Sequence, residues 1–264
     1  MIGNKASLLI DGARQVGKTT TIRKVLNDEN IDYIELNLLE NKDLVEMLEN
    51  IENISTAEFI AQLKLYTNHG LKKKETIIFI DEVQQCCELI TKVKFLVEEG
   101  SFRYIFSGSL LGLELANVKS VPVGYMFQLK MFPLDFEEFL LNTGVDNDTI
   151  KILETSFKNL SPVSPFIHKQ IMKRFDQYLV VGGMPKAVQT FVDTHDYNQV
   201  YDIHQFIIDA YKADFTKYEN NSKKLLLKAA FDNIPAELNS QNKRYIVKNL
   251  NDARHYKRLE ETFE

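Results

Sequence analysis

Residues 6–26 read ASLLIDGARQVGKTTTIRKVL, and the fold turns on how this stretch is parsed. Ala6–Asp11 is an apolar run of strand length, and the residues after Lys18 continue with helical spacing. Between them lies a P-loop pattern, Gly12, Ala13, Arg14, Gln15, Val16, Gly17, Lys18, Thr19, with Thr20 following in the helix. Its glycines let the backbone curl so that successive N–H groups point inward at phosphate oxygens. The helix that starts there turns its positive dipole end toward the same anion. Lys18 supplies a mobile cation for the β- and γ-phosphates, and the Thr19 hydroxyl is a ligand for Mg²⁺. ATP with Mg²⁺ is therefore the expected ligand pair.

A second stretch, TIIFIDEVQ (residues 76–84), supplies the acidic half of such a site. An apolar strand ending in Asp81-Glu82 resembles a Walker B motif. Asp81 is placed to hold Mg²⁺ opposite Thr19, and Glu82 to polarise an attacking water as general base. RYIFSGS (residues 103–109) follows. In additional-strand P-loop ATPases a polar residue ending that strand touches the γ-phosphate, which makes Ser107 the candidate sensor, with Ser109 close behind. Lys18, Glu82 and Ser107 are thus the candidate catalytic residues, and Thr19 and Asp81 the candidate metal ligands.

Around these stretches the first half alternates short apolar strands with helical segments, the pattern of a parallel sheet covered by helices. The expected strands are 6–11, 33–37, 76–81, 104–107 and 127–131. Ile77–Ile80 is apolar without alternation, as a strand buried on both faces should be. Ser55 with Glu58, and Asp135 with Glu138, have capping-box spacing. NLSPVSP (residues 159–165) reads as a linker because its prolines remove backbone donors. Beyond it the pattern is helical, broken at Gly182-Gly183-Met184-Pro185, where Pro185 suits a helix start.

The net charge of −5 over 264 residues hides an asymmetry. Residues 212–258 contain eleven Lys/Arg against five Asp/Glu, a balance of +6, while residues 1–211 carry −8. A basic C-terminal third fits either solvated helix faces or contact with DNA or an acidic protein. No apolar run approaches membrane-spanning length. The two cysteines, Cys86 and Cys87, are adjacent and lack ligand spacing, and the five histidines are scattered; a reduced, cytoplasmic protein is expected. Aromatics at Phe206, Tyr211, Phe215 and Tyr218 recur at helical spacing and are expected in a core.

GARQVGKTT, FIDEVQ, FSGSLLG, VPVG, FPLDFEEFL, YLVVGGMP and YKADFTKY, in this order, resemble a prokaryotic AAA-type ATPase family with an AAA_14-like nucleotide domain and a DUF4143-type C-terminal region. The resemblance runs from about Leu8 to about Tyr256. It implies an α/β, additional-strand P-loop core with parallel sheet order 5-1-4-3-2 over residues 1–158. A helical lid would follow over 166–235, and the start of a truncated winged-helix region over 236–264. It marks Arg14 and Gln15 as characteristic loop residues. It also likens Gly183-Met184-Pro185 to a lid motif that folds over nucleotide, which adds Pro185 to the binding residues. Many relatives carry a basic residue where Tyr125 follows the VPVG glycine, and Lys119 is the one cation between the fourth and fifth strands. Ring assembly with a trans-acting arginine is accordingly not expected. Arg174 and Arg254 are expected as surface cations of the lid.

These features point to an ATP-dependent switch or motor with slow intrinsic hydrolysis. The alternative is a nucleotide-gated module that binds DNA or protein with negligible turnover. A small-molecule kinase is disfavoured by the acidic residue after Asp81 and by the lack of an arginine-rich substrate lid.

Overall fold

A strand with no polar face has to lie inside a sheet that is covered on both sides, and Ile77–Asp81 does. The computed structural model describes residues 6–49, 51, 53–67, 70–86, 88–109, 124–214 and 221–240. Its strands are β1 (Ser7–Asp11), β2 (Tyr33–Asn37), β3 (Ile77–Asp81), β4 (Arg103–Gly108) and β5 (Met126–Lys130). They form one parallel sheet in the order β2-β3-β4-β1-β5, the expected 5-1-4-3-2 read from the other edge.

Alternate residues of β1 to β4 feed two cores. On one face Leu9, Leu36, Ile78, Ile80, Tyr104 and Phe106 pack with side chains from α2 (Lys42–Glu49), α3 (Thr56–Thr67) and α4 (Glu88–Glu99). On the other, Ile10, Ile77 and Phe79 pack with Ile22 and Leu26 of α1 (Lys18–Asp28). Helices on both faces are what parallel crossovers produce. Arg23 of α1 also grips Glu35 of β2 through two hydrogen bonds, Nε to Oε2 at 2.7 Å and Nη2 to Oε1 at 2.5 Å.

The later helices begin where the sequence signals them. α5 (Phe136–Asn142) opens on a complete Asp135/Glu138 capping box, both bonds at 2.9 Å. α6 (Asn147–Lys158) is capped by Asp146, whose carboxylate accepts from Thr149 N at 2.7 Å. After the linker, α7 (Pro165–Val181) starts with Ser164 as N-cap and Pro165 in its first turn. α8 (Pro185–Thr194) follows the Gly182–Met184 break. Phe136, Phe139, Phe175, Tyr178 and Phe191 interlock α5, α7 and α8, with ring centroids 5.2–6.2 Å apart.

The chain forms two compact units, Met1–His195 and Asp196–Glu264. The first contains the sheet and α1 to α8. The second contains α9 (Tyr197–Asp214) and α10 (Asn221–Asn239), joined by an ion pair between Lys212 and Asp232. Phe206 departs from the expected core: it is 65 % exposed, because the buried positions of α9, Val200 and Ile207, lie on another side of the helix. Phe215, Tyr218, Cys87, Lys119, Arg254 and the part of the expected winged-helix region (236–264) past Ser240 lie outside the described residues. Among the described residues no helix is long and apolar enough to cross a membrane.

Candidate functional site

The loop after β1 is shaped by close approach and by left-handed backbone. A Cβ on Gly12 would stand 2.2 Å from the carbonyl oxygen of Met131, so only glycine fits there. Met131 N–H in turn donates to Asp11 O at 2.6 Å, which ties the segment after β5 to the start of the loop. Gln15 and Gly17 adopt φ of 65° and 94°, and Gly17 caps α1 without a side-chain hydrogen bond. The first turn of α1 contains no acidic residue. Its leading N–H groups and positive dipole end are thus left for an anion.

Lys18 is buried and folds back on this loop, its Nζ donating to Gly12 O at 2.9 Å and Ala13 O at 2.8 Å. Burial pushes its pKa below the ordinary lysine value, opposed by the carboxylates of Glu82, Asp81 and Asp11. The partly desolvated ammonium is thus held between two neutral carbonyl oxygens.

The first turn of α1 and the carboxyl ends of β3 and β4 bring three side chains together. Thr19 Oγ1 donates to Asp81 Oδ2 at 2.7 Å, across 62 residues of sequence. Ser107, fully buried, donates its hydroxyl to Asp81 Oδ1, which also accepts from Glu82 N at 3.1 Å. Parallel strands whose ends cluster this way form the crevice where ligands of open α/β sheets bind. The donors at the Thr19–Asp81 pair are all oxygen, the chemistry Mg²⁺ selects. Among the described residues no group of three or more His, Cys, Asp or Glu makes a metal cage. A magnesium ion held by Thr19 and Asp81 would therefore complete its shell with phosphate oxygens and water, as Mg²⁺ usually does.

Glu82 leaves β3 with φ of 57°, a left-handed conformation that costs a non-glycine residue about 1–2 kcal/mol. Its carboxylate accepts a hydrogen bond from Gln84 Nε2. Residues held in such strained conformations cluster at functional sites.

The Gly182–Pro185 corner also reaches this site. The Pro185 ring carbon Cγ lies 3.8 Å from where a Cβ on Gly17 would stand, so the residue singled out by resemblance sits against the phosphate loop. Gly182 turns the chain at φ 67°, and Gly183 allows close approach: a Cβ there would lie 2.0 Å from Leu134 O and 3.0 Å from Leu134 N. Leu134 N–H donates to Gly183 O at 2.7 Å, and the Tyr178 hydroxyl donates to Leu134 O at 2.9 Å. The stretch from Met131 to Leu134 is thus pinned by Gly12 at one end and by Gly183 at the other. Gly183→Ala is expected to cost about 1–3 kcal/mol through this backbone clash. Thermal unfolding would read it as a midpoint lowered by roughly 2–10 °C; an unchanged midpoint would mean that the corner can open without loss.

Lys18, Thr19, Asp81, Glu82 and Ser107 therefore converge, with Pro185 against the loop. Val16 is buried in the core and offers only its backbone, and Thr20 lies on the exposed side of α1. Arg174 bonds Gln177 of its own helix at 3.4 Å. Sequence reasoning gave no role to Gln84, Met131 or Leu134. Gln84 stands in FIDEVQ two residues after Glu82, yet its second partner, Ser109, is 25 residues away.

A family model described as an AAA domain (AAA_14) matches residues 4–140, just over half of the chain. A model described as a domain of unknown function (DUF8612) matches residues 172–263, where the resemblance pointed to DUF4143. No curated protein matches the chain.

Proposed function

The chain belongs to the AAA domain family, and from that premise we propose that it binds ATP with Mg²⁺, hydrolyses it slowly, and couples the nucleotide state to the corner at Pro185. The observation that carries this proposal is the meeting of Thr19 with Asp81 beneath the loop closed by Lys18. Loop N–H groups and the start of α1 would bind the phosphate chain, and Lys18 would trade its two carbonyl partners for β- and γ-phosphate oxygens. Thr19 and Asp81 would hold Mg²⁺, which supplies charge neutralisation at the transferring phosphoryl group. Ser107 orients the Asp81 carboxylate through its hydroxyl. Glu82 would accept the proton of the attacking water. Pro185, packed near Gly17, is suited to feel whether the loop is filled.

The test is phosphate release from Mg·ATP by the purified chain, with bound nucleotide quantified in parallel. Turnover that ceases on chelating Mg²⁺ and returns on its addition is the expected result. Absence of nucleotide binding would overturn the proposal. Binding without turnover would favour the alternative, a nucleotide-gated module engaging DNA or protein through the basic residues 212–258.

A further inference from the structure

We propose that Gln84 is the positioning residue for Glu82, fixing the general base to the end of β4 through Ser109. This rests on the hydrolytic function proposed above. The Gln84 amide is engaged at both ends. Its Nε2 donates to Glu82 Oε2 and to Ser109 Oγ, the latter at 3.2 Å, while its Oε1 accepts from Ser109 N at 3.2 Å. Chemistry dictates that orientation, because a carboxylate can only accept and a backbone N–H can only donate. Gln84 itself stands on a short 3₁₀ turn, Val83–Cys86, whose Val83 and Cys86 side chains are buried, so its backbone is anchored. Ser109 is buried as well.

The arrangement answers a problem posed by Glu82. A glutamate has three side-chain torsions, and an unrestrained carboxylate spends little of its time in one geometry. A general base must stay within hydrogen-bond reach of one water. The hydrogen bond from Gln84 Nε2 to Glu82 Oε2 restrains that carboxylate to one geometry. Ser109 lies two residues beyond Ser107, which bonds Asp81, so the end of β4 supports the metal ligand and the base at once.

The deciding experiment compares Gln84→Met, which keeps the length and removes the hydrogen bonds, with wild type, Glu82→Gln and the double variant. Misplacing a catalytic group by about 1 Å can cost roughly a hundredfold. Gln84→Met is therefore expected to lower kcat about 10- to 100-fold while ATP affinity and KM stay within about twofold. On the Glu82→Gln background the same change should add no more than about twofold, because Gln84 acts through Glu82. If Gln84→Met misfolds, as its thermal midpoint would reveal, Ser109→Ala removes one anchor and should lower kcat about threefold or more at unchanged KM. A kcat within about twofold of wild type in a folded variant overturns the proposal, as does a full loss repeated on the Glu82→Gln background. Absence of turnover in wild type removes the hydrolytic function itself, whereas Glu82→Gln turning over like wild type removes the general-base role and the positioning role of Gln84 with it. A collapse in Glu82→Gln with none in Gln84→Met rejects the positioning role alone.

Discussion

Glu82→Gln is expected to bind Mg·ATP as tightly as wild type and to release phosphate at least about a hundredfold more slowly, the lower end of what a general base contributes. The substitution is nearly isosteric, so Lys18, Thr19 and Asp81 keep their geometry. Asp81 Oδ1 accepts from the backbone N–H of residue 82, which the change leaves in place. What disappears is a group able to take a proton from water. The cost of holding φ at 57° is the same for either side chain, so folded stability should move little. Single-turnover phosphate release and nucleotide retention on one sample separate the two effects. Slow release with full retention assigns the base; equal turnover removes Glu82 from that role and leaves the nucleotide site standing. Loss of both would mean that the carboxylate supports the loop rather than the reaction.

The parts of the site that were legible in the sequence are those whose chemistry is contiguous. Gly12 to Thr19 form a cradle within eight residues, and Asp81-Glu82 end a strand whose unbroken apolar run announces its burial. Once β3 and β4 are known to be neighbours, the Asp81–Ser107 bond follows from register, with Ile80 opposite Phe106.

Contacts that depend on how distant segments meet were not legible. Gln84 reads as one more polar residue after a strand, and only the return of β4 brings Ser109 to its amide. Gly183 reads as a turn glycine, although its neighbour Gly182 makes the turn. Its own constraint is the carbonyl of Leu134, 49 residues earlier in the chain. Gly12 likewise matches a phosphate-loop pattern, yet part of its constraint is steric and comes from Met131. Phe206 fell on the wrong side because helical spacing alone does not say which stripe of a helix with several aromatics is buried.

Lys18→Ala should lose nucleotide affinity by on the order of 10- to 100-fold, matching the roughly 1.5–3 kcal/mol carried by a hydrogen bond to a charged group. The free protein explains why the loss is not larger. Lys18 already makes two hydrogen bonds to Gly12 O and Ala13 O, and these must be given up when phosphate arrives. Only the difference between charged phosphate and neutral carbonyl partners appears as affinity. The same balance governs stability. Burial penalises the ammonium, and the nearby Glu82, Asp81 and Asp11 carboxylates offset part of that penalty. Removing the side chain removes the penalty along with the bonds, so the thermal midpoint should change by much less than the binding energy. A nucleotide titration at fixed Mg²⁺, run beside thermal unfolding of both proteins, reads the two quantities separately. Wild-type affinity in Lys18→Ala would mean that phosphate does not displace the loop carbonyls from this lysine. A large drop in midpoint would instead make Lys18 a structural clasp of the loop. Weak binding at an unchanged midpoint is the outcome that a lysine buried at a cost to the fold, and kept for its ligand, requires.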